Sequence, residues 1–250
     1  MDALAALRLQ IEWGADEALD DAPIDRTRPV APVARSAPSP APAPVAPRAT
    51  AAIRAKTLAD SAQTLAELRH AVAGFTECPL AATATNLVFS DGNPAAGLVL
   101  VGETPGPEED LSGRPLDGPA GQLLDRMLAS IGLDRGRVLL TSLVPWRPPG
   151  GRQPTEAEIA MCLPFLLRHL ALVRPRIVVT LGGLPAKMLT GSDATIRKLR
   201  GKWQSMQLTG VDSEVKLLPM LHPAYLIRTP AAKREAWQDL LALQRVLNSV

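Results

Sequence analysis

A three-layer α/β/α sandwich around a central, mainly parallel four-stranded sheet is the fold class that this sequence predicts. Three observations predict it. Apolar runs of strand length and strand composition recur at 98–101 (LVLV), 138–144 (VLLTSLV), 177–181 (IVVTL) and 215–221 (VKLLPML). Helical patterns fall between them, at about 119–131, 155–173 and 184–190, with a last one at about 231–248. Apolar residues make up 46% of the 250, which is ample for a core. Strands that alternate with helices pair in parallel and are covered on both faces.

The segments before the first strand are of another kind. Residues 2–19 (DALAALRLQIEWGADEAL) place Leu4, Leu7, Ile11 and Leu19 along a helical face, and a short amphipathic helix is assigned to 1–20. An isolated helix of that length is marginal in water, so it is expected to dock, either on its own domain or on a protein partner. Eight of the 24 prolines lie between Pro23 and Pro47, in a tract of Ala, Pro, Val, Arg and Ser without aromatics. Such a tract buries too little surface to offset its ordering entropy, and 21–55 is expected to be a disordered linker. A helical stretch from about Leu58 to Gly74 then opens a folded domain over 56–250.

A formal charge of +2 and a pI near 8.7 are too mild to announce a nucleic-acid binder, although a local basic patch would suffice for one. The two cysteines, Cys78 and Cys162, and the lack of a charged-then-apolar leader point to a reducing compartment, with the cytoplasm as the expected location. No apolar run reaches the roughly 18 residues of a membrane span. A monomer is expected.

Ligands of open parallel sheets sit beyond the carboxyl ends of the strands. There the sequence reads GETPGPEED, PWRPPGGRQPT, GGLPAK and HPAYLIR. Gly182 and Gly183, ahead of a helix, most simply make a tight turn. The other three are less ordinary. Two are proline-rich turns that hold backbone amides stiffly, and the last presents His222 at the end of a buried run, followed by a proline and the sole tyrosine.

Taken with their flanks, GETPGPEEDLSGRPLDGPAGQLLDRML, RPPGGRQPT, RPRIVVTLGGLPAKMLTG, IRKLRGKW and HPAYLIRTPAAKREAWQDL resemble the bacterial and archaeal family 4 uracil-DNA glycosylases in order and spacing, over about residues 70–248. The resemblance implies hydrolysis of the N-glycosidic bond to a deaminated base, leaving an abasic site. That chemistry requires the nucleotide to be extruded from the stack, with donors placed to meet the departing base anion and a water near C1′. Glu103, Thr104 and His222 would be catalytic, His222 facing the base O2. Gly102, Pro105, Gly106, Leu116 and Ser142 would line the base pocket, glycine letting the backbone approach where a side chain would collide. Arg147, Arg152, Lys198, Arg200, Pro223, Tyr225 and Arg228 would contact DNA, mainly at its phosphates.

The sequence also departs from the family. The four-iron cluster usual there is held by four cysteines, and the matching residues are Phe75, Cys78, Trp146 and Cys162. A cubane needs a ligand for each iron, so no cluster or other metal is expected, and Phe75 and Trp146 are expected to meet in its place. Leu116 stands where the family stacks a phenylalanine on uracil, and Ser142 where an asparagine reads the base edge. Thr104 stands where alanine is common, and its hydroxyl suits a held water. A hydroxyl in place of a two-sided amide weakens discrimination, so activity is expected to be lowered or altered in specificity. The loop PPGGRQPTEAE lacks the histidine with which one branch of the family traps DNA covalently.

The expected function is therefore a DNA-repair glycosylase for uracil or another deaminated base, with DNA as partner. The alternative is a weakened or inactive homologue serving as a DNA-binding adaptor. A free-nucleotide site is disfavoured because no GxxxxGK[ST] loop follows any strand.

Overall fold

In the computed structural model, which describes residues 48–249 apart from Asp212, the four expected strands form the middle of a six-stranded sheet. The helix expected at 1–20 and the linker up to Pro47 lie outside the described residues. Strands β2 (Leu98–Gly102), β3 (Leu139–Ser142), β4 (Ile177–Leu181) and β6 (Val215–Met220) are parallel. The short β1 (Ser90–Gly92) and β5 (Gln204–Met206) add antiparallel edges, giving the order β1-β3-β2-β4-β6-β5. The sheet thus has two strands more than the sequence predicts. Three-residue strands that are half polar, SDG and QSM, carry no periodic signal.

Each central strand divides its side chains between two apolar layers, as the two-residue period requires. Val99, Val101, Leu139, Val178 and Leu217 face one core, where α1 (Arg48–Ser61), α2 (Leu65–Ala73) and α6 (Glu156–Val173) pack. Leu98, Leu100, Leu140, Val179, Leu218 and Met220 face the other, closed by α5 (Gly118–Ala129) and α10 (Lys233–Leu247). This is the three-layer sandwich. Helix α1 begins at Arg48, inside the stretch expected to be linker. From there the prolines stop, and Ala55 and Ala59, both fully buried, lie on the packing face. The expected helix over 58–74 is two helices, broken where Thr64 caps α2 by accepting from the Glu67 amide. Among the described residues no helix is long and apolar enough to cross a membrane.

One buried polar group sets an acid limit on this architecture. His169, on α6, is 2% exposed, stacks on Phe89 at 4.7 Å and has no hydrogen-bond partner for Nε2. Burial pushes its pKa down to about 4 from an ordinary 6.5, so the folded state holds it neutral. A base depressed on folding contributes stability that is fully present above pH 6.5 and is lost as pH falls towards 4. Over that window His169 is expected to contribute about 3 kcal/mol of lost stability, opposed by carboxyls raised on folding such as Asp239, so the measurement is the difference in the pH slope of urea unfolding between wild type and His169→Leu.

Candidate active site

The carboxyl ends of β2, β4 and β6 open on a cleft of about 670 Å³. Its wall includes Glu103, Thr104, Gly106, His222, Tyr225 and Arg228, all six expected at the site. Backbone ties fix the strand ends: Leu143 N–H donates to Gly102 O at 2.9 Å and Val144 N–H to Glu103 O at 3.1 Å.

After Glu103 the chain turns into α4 (Pro107–Ser112). Its acidic start is structural. The Gly106 amide donates to Glu109 Oε2 at 2.8 Å, the side-chain-to-backbone half of a capping box, and a Cβ at Gly106 would crowd that oxygen at 2.6 Å. Burial raises the Glu109 pKa, against the pull of these amides. Asp110, 5% exposed, accepts from Thr85 N at 2.8 Å, Thr85 Oγ1 at 3.0 Å and Asn86 N at 3.3 Å, pinning the 85–86 segment beside the loop.

His222 is the N-cap of α9 (Pro223–Arg228), with proline at the first helical position where a missing N–H costs nothing. Its Nδ1 accepts from the Ala224 amide at 3.1 Å, so the ring proton of the neutral form sits on Nε2. Burial holds the imidazole below its ordinary pKa, the Glu103 carboxylate opposes that and Arg228 reinforces it. The cleft is therefore given a neutral N–H donor. Opposite it, Glu103 Oε1 accepts from the Leu184 amide at 3.2 Å, at the start of α7 (Gly183–Thr190).

Gly102, Leu116 and Ser142 form a buried cluster beside the cleft wall. A Cβ on Gly102 would lie 3.5 Å from Ser142 Oγ and 3.9 Å from Leu116 Cγ, and both side chains are under a tenth exposed. Leu116 has a left-handed φ of 52°. Its carbonyl accepts from Arg135 Nη2 at 2.6 Å, and Arg135 is itself fixed by Asp91 at 2.9 Å and Asp125 at 2.8 Å. Gly121 is required below that carbonyl, since a Cβ there would overlap it. Pro105 and Pro223 are buried.

The basic residues divide. Arg228 is exposed on the cleft rim, and Lys198 is exposed on α8 (Ile196–Leu199) away from the cleft lining. Arg152 forms a two-pronged pair with Glu158 at 2.7 and 2.9 Å, where Glu158 also caps α6 through Thr155. That pair and the Thr155 contacts hold the Glu158 carboxyl down to about 2. Arg200 is bound to Asp239 at 2.7 and 3.0 Å inside the domain. Arg147 is half-buried, with Nε unpartnered. Among the cleft residues that the sequence did not assign to the site are Arg197 and Gln153. Arg197 donates to the Tyr225 hydroxyl at 3.0 Å and to Glu235 at 3.3 Å. A four-residue helix gives no periodicity from which to tell that Arg197, rather than Lys198, faces the cleft.

Glu103 and His222 thus line one strand-end cleft, and comparison decides the family. Residues 89–241 match the family model described as the uracil DNA glycosylase superfamily. The chain belongs to that superfamily. It is 37% identical over 180 residues to a type-4 uracil-DNA glycosylase of Pyrobaculum aerophilum, covering 70% of this chain and 91% of the relative. It is 39% identical over 167 residues to that of Archaeoglobus fulgidus, covering 65% and 83%. The type-4 uracil-DNA glycosylase of Thermotoga maritima is 38% identical over 157 residues, covering 61% and 78%.

The four positions at which the family 4 resemblance implies iron–sulfur ligands can be tested for whether they could hold a cluster. Phe75, Cys78, Trp146 and Cys162 are all at most 3% exposed and belong to one apolar core. Interaction between the two thiols, with burial added, raises Cys162, while the same interaction lowers Cys78. Phe75 meets Phe165 edge-on at 5.4 Å, a ring partner other than the Trp146 expected from the sequence. Phe165 lies on α6 one turn from Cys162, which puts it within reach of Phe75. Among the described residues no group of three or more His, Cys, Asp or Glu is placed to hold a metal. A four-thiolate centre does not fit this arrangement.

Proposed function

We propose that this chain is a DNA-repair glycosylase that releases uracil from DNA by hydrolysing its N-glycosidic bond. The observation that carries this is the neutral His222, whose Nδ1 is occupied by the Ala224 amide so that Nε2–H is the donor left for the cleft. As the C1′–N1 bond breaks, the bonding electrons leave with the base, and charge builds on its O2. A fixed, uncharged N–H aimed there stabilises that anion without itself being consumed. Glu103, with one oxygen on the Leu184 amide, keeps the other for the water that attacks C1′, and Thr104 beside it offers a hydroxyl to the same water. The base is protonated from solvent after departure.

Arg228 and Arg197, on the Tyr225 side of the cleft, supply phosphate contacts, while Glu103, Glu108, Glu109 and Asp117 line the other side, where a backbone phosphate would be repelled. DNA thus has one electrostatically favoured approach. Leu116 and Ser142 are not among the residues that line the cleft; they pack against Gly102 and support its wall, and the groups presented to a base are Glu103, Thr104, Gly106 and His222. We further propose a cytoplasmic monomer without an iron–sulfur cluster, with a protein partner for residues 1–20.

The test is a labelled oligonucleotide with one uracil, treated with the purified protein and then with alkali, alongside hypoxanthine and xanthine strands. Cleavage of the uracil strand is expected. No cleavage of any strand, with DNA binding intact, would establish the adaptor instead. The same preparation from iron-replete cells is expected to contain no stoichiometric iron and no visible iron–sulfur absorption, and a chelator is expected to leave its melting temperature unchanged.

A further inference from the structure

The sequence assigns Gly182 a tight turn, yet it follows β4, the strand that lies between those leading to Glu103 and His222. Its φ is +106°, and a Cβ built on it would overlap Glu103 Oε1, lying 2.7 Å from Cδ and 3.0 Å from Cγ. The carboxylate of Glu103 therefore rests on the bare Cα of Gly182, held there by the Leu184 amide at 3.2 Å. On the other side, the Gly182 amide donates to Met220 O at 2.9 Å, two residues before His222.

From these contacts we infer that Gly182 is a positioning residue for base release: its missing Cβ is the seat of the Glu103 carboxylate, and its amide ties that seat to the strand that ends in His222. The inference rests on the glycosylase reading above. A Glu side chain has three rotatable bonds, and a half-buried one with a single hydrogen bond would otherwise sample several positions. The seat removes that freedom before substrate arrives. It leaves the second carboxylate oxygen to hold water at a defined place, which is where a displacement of about 1 Å costs roughly a hundredfold in rate.

The test is Gly182→Ala, with Gly191→Ala as control. Gly191 caps the other end of the same helix with φ +66° and ψ 14°, an αL state that alanine enters at modest cost, and a Cβ there would meet nothing within 4 Å; Gly182, at φ +106° and ψ 178°, carries the larger backbone penalty, which the comparison with and without Glu103→Ala holds constant. Gly182→Ala is expected to lower the single-turnover rate on a uracil strand about a hundredfold with DNA affinity retained, while Gly191→Ala keeps the wild-type rate. A second readout is the NMR titration of His222, whose charged neighbours are Glu103 and Arg228. Displacing the carboxylate that supports its protonation should move the midpoint lower in Gly182→Ala alone. If Gly182→Ala folds poorly, stability carries the test, since adding Glu103→Ala removes the collision and should restore much of what was lost.

Equal losses in the two glycine variants, a Gly182→Ala rate within about threefold of wild type, or a double variant no more stable than Gly182→Ala would each overturn the inference while leaving the glycosylase reading intact. A wild-type protein that releases no base would overturn both.

Discussion

His222→Ala is expected to slow uracil release by about two to three orders of magnitude while leaving affinity for uracil-free DNA unchanged. The size follows from removing one preorganised donor from an oxyanion-type site. The selectivity follows from geometry, because the imidazole is half-buried in the cleft wall at a strand end and bonded to its own helix start. Single-turnover excision and a binding assay on the same duplex separate the two effects, and equal loss of rate and affinity would make His222 a DNA contact rather than an electrophile. The pH profile carries the same information. Burial and Arg228 outweigh Glu103 and keep the folded pKa under 6.5, so the acid limb that reports His222 protonation should lie below the ordinary imidazole value.

Arg200→Ala is expected to act on the fold and not on DNA. Its guanidinium grips Asp239, which is 2% exposed, and donates to the Glu235 carbonyl. Gly201 is shaped to the pair, since a Cβ there would overlap Asp239 Oδ1. Removing one partner strands the other, a change that typically costs about 3–5 kcal/mol. Burial raises Asp239 to about 6 against the pull of Arg200, and without Arg200 it should rise further. A carboxyl raised on folding weakens the native state as pH climbs through its pKa, so the deficit should be smallest below pH 3.8, the ordinary value, and grow towards neutrality. Denaturant unfolding at two pH values checks both statements. A changed salt dependence of DNA binding with unchanged stability would return Arg200 to the phosphate contacts.

Arg200 illustrates where sequence reading stops. Strand length and apolar content reveal the four central strands, because each is buried on both faces and needs no partner information to be recognised. Glu103 and His222 are legible for a related reason, since both follow such a strand directly and the parallel sheet delivers them to one edge. What decides among neighbouring cations is long-range. Arg152 and Arg200 look like Arg197 and Arg228 in the sequence, and only the folded chain shows that Glu158 and Asp239 occupy the first two. Gly182 was read as local turn chemistry, whereas its contact is with Glu103, 79 positions earlier in the chain. The break at Thr64 and the edge strands were missed through shortness, where one cap or three residues set an element.

The turn at Leu116 bears on how the cleft meets a nucleotide. A leucine with left-handed φ costs roughly 1 kcal/mol or more, and here Arg135 and the absent Cβ of Gly121 hold it in that state. Contacts within the folded domain hold the turn, which sets Asp117, Pro119 and Ala120 on the cleft wall. An extruded base then meets a wall braced by the fold itself, so the free energy of contact goes to holding the unstacked base and little is diverted into remodelling the protein. A binding heat capacity close to that expected from buried area alone, without a folding contribution, would be the calorimetric trace of such a rigid receptor.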